Sequence, residues 1–126
     1  MAPRMEGWQA ALDRIPGLDP AAGLRTVAGR EESLVRLLRR FEALHARDGA
    51  RVAACLAEGR PGEAQALAHT LRGAAGFLGL VEIQASAADL EGALRDGTDG
   101  DPGPLGGRLD RALAGACAAI RDGLAE

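Results

Sequence analysis

The chain has 126 residues, which suits a single domain, and 47% of them are hydrophobic, enough to form a core. Aromatic residues make up only 2% and Tyr is absent, so aliphatic side chains and alanine have to fill that core. The formal net charge of −3 argues against nucleic acid as a main partner, because phosphate-backbone binding needs a concentrated basic face.

Residues 1–18 are predicted to be an N-terminal extension or a short helix. A helix is expected over residues 6–15, with Trp8 placed to cover one end of the fold, and Pro16-Gly17 ends the segment because this pair favours a turn. The rest of the chain, 19–126, is predicted to form one domain.

Helix signals begin at Asp19, which precedes a proline and is typical of an N-cap followed by proline at the first helical position. A short helix is expected over 20–28. The next helix has the clearest 3.6-residue periodicity, and Asp48-Gly49 is expected to interrupt it before a shorter helix over 50–58. The apolar positions predicted to face inward in the longer of these helices are Leu34, Leu37, Leu38, Phe41, Leu44 and His45.

Three more helices are predicted in the second half of the chain. They cover 62–78, with Gly79 as a C-terminal cap, about 80–96, and 105–124, and a loop rich in Gly and Pro fills 97–104. Long amphipathic helices with short connections favour an antiparallel bundle. The predicted fold is therefore all-α, an antiparallel four-helix bundle with an additional short N-terminal helix.

The sequence gives no sign of export or membrane insertion. The opening residues, MAPRMEGW, lack the apolar stretch of a secretory signal, and no run of about 20 apolar residues follows. Cys55 and Cys117 are far apart and form no CxxC pair, so both are interpreted as packing residues. We therefore expect a cytoplasmic protein that neither spans nor binds a membrane.

His69 is predicted to face away from the core. On a helix with about 100° per residue and His69 at zero, the three leucines of its helix fall between roughly 160° and 200°. Gly73, Gly76 and Arg72 fall at roughly 40°, −20° and −60°, on the side of the histidine. One solvent-facing side thus carries an imidazole, two glycines and a guanidinium.

The two glycines have two interpretations. Each costs about 1 kcal/mol relative to alanine inside a helix, so their presence needs a reason. Without a Cβ at Gly73 and Gly76, the backbone and a carboxylate of another protein can approach the Nε2 atom of His69. The alternative is close packing between helices, which is less favoured because both glycines face away from the apolar side.

Arg72 and Glu91 are candidate partners of the imidazole. An imidazole is a nucleophile near neutral pH, and phosphoryl transfer depends mostly on positioning and charge stabilisation. Arg72 is one turn from His69, so it can place a cation near phosphoryl oxygens. Glu91 lies as far after the predicted turn as His69 lies before it, so it can accept a hydrogen bond from Nδ1–H. Both can equally be solvated surface charges.

Two aromatic or imidazole side chains complete the candidate set. Phe77 falls at roughly 80° from His69, where it can give a partner an apolar contact or cover the end of the bundle. His45 lies in the apolar register of its own helix, so it is interpreted as a partly buried packing residue and not as a second reactive histidine.

The sequence around His69 resembles a known signature. Residues 68–79, AHTLRGAAGFLG, are similar to the pattern A-H-x-L-K-G-x-x-x-x-[LV]-G of the histidine-containing phosphotransfer (HPt) family. Residues 88–91, ADLE, resemble its downstream LE element, and residues 15–24 and 34–41 resemble a segment that often precedes such domains in hybrid sensor kinases. The resemblance covers about residues 15–124.

The resemblance implies a phosphocarrier and not an enzyme. His69 would be the phosphoacceptor through Nε2, Gly73 would give access, and Glu91 sits where family members often carry Gln or Glu near the imidazole. Arg72 departs from the lysine that is usual there. The implied partners are a response-regulator receiver domain or a hybrid sensor histidine kinase, with Mg²⁺ and the acceptor aspartate on the receiver, and with no metal or cofactor on this chain. The family leans towards monomers.

Two other classes of function remain as alternatives. A helical adaptor would bind a receiver or kinase domain without phosphorylation of His69. A metal-dependent hydrolase is less favoured, because the two separated histidines show no spacing typical of metal ligands.

Overall fold

The computed structural model describes residues 2–97 and 100–125, with side chains described from residue 8 onward. Within these ranges the chain forms helices and no strand, so the predicted all-α fold is confirmed. The helices are α1 (Ala2–Asp13), α2 (Pro20–Thr26), α3 (Glu31–His45), α4 (Asp48–Ala57), α5 (Pro61–Leu78), α6 (Val81–Asp96) and α7 (Gly103–Gly123).

Four antiparallel segments make up the bundle. The first is α3 with α4, because only Ala46 and Arg47 separate them and both keep right-handed helical backbone angles. The others are α5, α6 and α7: α5 packs against α4 and α6, and α7 packs against α6, α4 and α3. The α5–α6 side and the α3–α7 side are therefore opposite each other. Helix α1 packs on α3, and α2 packs on α5 and α3.

The turn between α5 and α6 is fixed by α2. The Asp19 side chain accepts a hydrogen bond from the Ala22 amide at 3.2 Å and so caps α2, as predicted. The Asp19 amide donates to the Gly79 carbonyl at 2.8 Å. Gly79 has φ of +80°, and a Cβ there would lie 2.6 Å from the Gly23 nitrogen. Only glycine fits both this backbone conformation and this close approach.

The core is aliphatic, as the composition requires. Helix α1 adds Leu12 to it, at 2% exposure, so the N-terminal helix packs into the same core as the bundle. The division into an extension over 1–18 and a domain over 19–126 stays a prediction. No helix within the described ranges is long and apolar enough to cross a membrane. Side chains with no exposed surface include Leu34, Leu38, Val52, Leu71, Leu90, Leu109 and Leu113.

One predicted core position is wrong. Leu44 is 60% exposed. The buried side of α3 is centred on Leu34 and Leu38 and turns towards Val35, because α1 covers that flank with Trp8 beside Val35. The opposite flank of α3, which carries Leu44, is left in solvent.

Several helix boundaries differ from the predictions. Helix α1 ends at Asp13 and not at 15, and α2 ends at Thr26 and not at 28. Helix α1 begins at residue 2 and not at 6, and α7 begins at Gly103 and not at 105, because proline is tolerated in the first turn of a helix. The break after α3 lies at residues 46–47, and Gly49 is inside α4. A Cβ on Gly49 would come within 2.9 Å of the Asp110 Cα, so this glycine permits close packing of α4 on α7.

Candidate functional site

His69 stands on the outer side of α5, near its middle. The side chain is 66% exposed, whereas Ala68 and Leu71 on the same helix are fully buried. The orientation follows from the sequence, because residues on the apolar side of α5 pack into the bundle and turn position 69 outward. The imidazole is thus accessible to another protein.

Glu91 of α6 holds one edge of the imidazole. The His69 Nδ1 atom lies 2.7 Å from Glu91 Oε2, and the glutamate side chain is only 8% exposed. The two residues meet because α5 and α6 run antiparallel from the turn at Gly79 and Leu80. A carboxylate only accepts hydrogen bonds, so Nδ1 carries the proton, and in the neutral ring the lone pair is on Nε2. The nitrogen that faces away from Glu91 is therefore the nucleophilic one.

Arg72 contacts the other oxygen of the same carboxylate. Its Nη1 atom lies 3.0 Å from Glu91 Oε1, and the arginine side chain is 42% exposed. The contact is an ion pair and lacks hydrogen-bond geometry, because Oε1 is buried without a hydrogen-bond partner among the described residues. A buried carboxylate needs compensation, and Glu91 obtains it from Arg72 and the imidazole together. Glu91 therefore bridges the two α5 residues that the sequence placed on one face.

The two glycines differ in their surroundings. A Cβ built on Gly73 would have no heavy atom within 4 Å, so this position is open to solvent beside His69. A Cβ on Gly76 would lie 2.7 Å from the amide nitrogen of Gln84 on α6. The space beside Gly73 is thus open, whereas a Cβ on Gly76 would require the exposed end of the Gln84 side chain to move. The roles of both glycines stay predictions.

Phe77 is exposed at the end of α5. It is 55% exposed, and Val81 at the start of α6 is 44% exposed. The Thr26 hydroxyl donates to the Phe77 carbonyl at 2.7 Å, which ties α2 to this end of α5. Phe77 is two turns from His69, about 12 Å along the helix axis. It is thus an apolar surface residue and does not cover the end of the bundle.

His45 has a different environment. Its ring lies 4.9 Å from the Phe41 ring centroid, its Nδ1 atom is 2.8 Å from Asp48 Oδ2, and its side chain is 17% exposed. Asp48 is itself buried and also pairs with Arg51 at 3.1 Å. His45 is thus the packing residue that its register predicts, held across the joint between α3 and α4.

The sequence did not single out Gln84. It lies on α6 one turn before Ala88 and two turns before Glu91, on the side that meets α5 near the site. The signal available was its spacing of seven residues from Glu91, which places both on one side of a helix.

The described part of the chain contains no group of three or more His, Cys, Asp or Glu side chains that could hold a metal ion.

Comparison with known proteins assigns the family. The family model described as Hpt domain matches residues 30–123, a range that contains α5, α6 and all the residues around His69. No curated protein and no solved structure matches the chain. Because the match covers most of the sequence, the chain belongs to the Hpt domain family.

Proposed function

We propose that this chain carries a phosphoryl group on Nε2 of His69 between aspartates of receiver domains. Hpt domains serve histidine phosphotransfer in phosphorelays, as phosphocarriers and not as catalysts, and they interact with receiver domains and kinases. The observation that carries the assignment to His69 is its exposed ring with Nδ1 held by Glu91.

The transfer step uses the lone pair of Nε2. It attacks the phosphorus of a phosphoaspartate, the N–P bond forms, the P–O bond breaks, and the leaving oxygen departs as the aspartate carboxylate of the receiver. Nδ1 keeps its proton, so the ring becomes positively charged. The Glu91 carboxylate, 2.7 Å away, stabilises that charge. The reverse attack by a second aspartate returns the ring to its neutral state.

Arg72 and Gly73 have supporting roles in the proposal. Arg72 sits one turn from His69, and its half-exposed guanidinium can leave Glu91 for the phosphoryl oxygens, where a fork of N–H donors binds well. Gly73 leaves the space beside the ring empty, so the receiver backbone can approach. Phe77 offers an apolar contact at the edge of the same surface. Mg²⁺ and the acceptor aspartate are assigned to the receiver.

The test is transfer from a ³²P-labelled receiver domain. We expect an acid-labile, base-stable label on the protein that His69→Gln abolishes. The matched control is His45→Gln, which removes the other histidine and should keep the label. Binding of receivers from a broad panel without any transfer would instead favour the adaptor, and the proposal would then be wrong.

A further inference from the structure

A second charged feature lies on the side of the bundle opposite His69. Four arginines, Arg36, Arg39 and Arg40 of α3 and Arg121 of α7, line a groove of about 410 Å³, which we call the arginine groove. Glu42 is the one acidic residue among its described lining residues, and it pairs with Arg121 at 3.4 Å. The charged side chains among the described lining residues are therefore mostly positive, although the whole chain has a formal net charge of −3.

Two arginines of the groove repel each other within α3. Arg36 and Arg40 are four residues apart on α3, and like charges at this spacing destabilise a helix. Neither forms an ion pair with another described residue. Elsewhere, Arg60 pairs with Glu63 and Arg108 with Asp89, so local pairing is common in this chain. Ion pairing within the groove therefore does not account for Arg36 and Arg40.

We propose that the arginine groove binds an acidic segment of a partner protein. Guanidinium groups bind carboxylates through paired hydrogen bonds, and arginine is favoured where such recognition is needed. The three arginines of α3 lie along about 6 Å of the helix, and Arg121 lies across the groove from them. This spacing allows two or three carboxylates of one peptide segment to bind at the same time.

The shape and lining of the groove favour a peptide over other anions. Small-molecule sites enclose most of their ligand, whereas this groove is open and its arginines are all exposed. Its described lining residues include no aromatic side chain on which nucleic-acid bases could stack. Because the groove is opposite the α5–α6 side, a partner held there leaves His69 accessible, and this binding does not depend on phosphorylation.

The test compares two pairs of charge reversals in the full chain. The groove pair is Arg36→Glu with Arg40→Glu, and the control pair is Arg25→Glu with Arg111→Glu, which changes net charge equally at exposed positions outside the groove. The probe is a fluorescent peptide of alternating Glu and Asp, titrated at 150 mM salt and followed by anisotropy. We expect at least about a tenfold weaker binding in the groove pair than in the control pair.

Three results would overturn the proposal. They are no binding by the unmodified protein, equal losses in both pairs, and inorganic pyrophosphate binding in the groove at least as tightly as the peptide. Arg36→Gln with Arg40→Gln provides a milder change if the reversal unfolds the helix. Phosphorylation of His69 by phosphoramidate should be unchanged in every variant, so loss of peptide binding is separable from failure of the carrier function.

Discussion

Glu91→Gln is the substitution that best separates charge from shape at the site. The amide oxygen of Gln can still accept a hydrogen bond from Nδ1 of His69, and the side chain fills the same buried space on α6. What is lost is the negative charge that faces the ring. The perturbation therefore acts on the phosphorylated state, in which the ring is positive, more than on the free state.

The expected size follows from the contact. A hydrogen bond to a charged group contributes roughly 1.5–3 kcal/mol. The ring of His69 is 66% exposed, so solvent screening favours the lower end of that range. A loss of about 1.5 kcal/mol corresponds to about a tenfold shift of the transfer equilibrium towards the phosphorylated receiver.

Arg72 complicates the single substitution, because Glu91→Gln also releases its guanidinium from the ion pair at 3.0 Å. A released arginine can bind the phosphoryl group and offset part of the loss. A double-mutant cycle with Arg72→Gln isolates the two effects, since coupled neighbours do not behave additively. In the Arg72→Gln background we expect the full tenfold shift, within the accuracy of the roughly 1.5 kcal/mol contact.

The assay measures the ratio of phosphorylated receiver to phosphorylated carrier at equilibrium, with thermal unfolding as a check of the fold. Glu82→Gln is the matched control, because Glu82 is an exposed acid near the other end of α6. If Glu91→Gln in the Arg72→Gln background shifted the equilibrium no more than Glu82→Gln does, the carboxylate would not stabilise the ring and the reasoning would fail.

Three more predictions concern the space around Gly73 and Gly76 and the burial of Cys117. Gly73→Leu should not lower the free energy of unfolding, since no atom lies within 4 Å of its Cβ. It should slow phosphoryl transfer from a receiver about tenfold or more, because the leucine side chain displaces the docked receiver. Phosphoramidate, a small phosphoryl donor, is the control and should react at an unchanged rate. Gly76→Ala should give less than the roughly 1 kcal/mol gain normal for this change, measured by denaturant unfolding, because Gln84 has to move. Burial raises the pKa of the Cys117 thiol from 9.0 to about 11. The unfolded chain loses this proton at a lower pH than the folded chain, so the stabilisation by the neutral thiol is fully present below pH 9 and is lost as the pH rises towards 11. Over this window the free energy of unfolding should fall by up to about 3 kcal/mol more in the unmodified protein than in Cys117→Ala.

The main elements were predictable because their signals are local. Asp19 before a proline marks the start of α2, and the leucine periodicity of α5 orients His69 outward. The meeting of His69 and Glu91 was also within reach, since two antiparallel helices joined by a tight turn place residues equally far from the turn side by side. No more than helix geometry was needed for that contact.

The features that the sequence did not predict depend on contacts between segments that are distant in the chain. The exposure of Leu44 is set by the flank of α3 that α1 covers, and periodicity within α3 carries no information about α1. The different surroundings of Gly73 and Gly76 depend on where Gln84 of α6 lies. The pair between Asp48 and His45 forms across a break that local turn signals placed two residues too late.

The most direct test of the carrier function is to locate the phosphoryl group on the protein. The ¹⁵N-labelled chain is phosphorylated, and the coupling between ³¹P and the ring nitrogens is read by NMR. We expect the coupling at Nε2 of His69, with Nδ1 still protonated and with no phosphorylation of His45. A phosphoryl group on Nδ1 of His69, on His45, or on neither histidine would contradict the assignment.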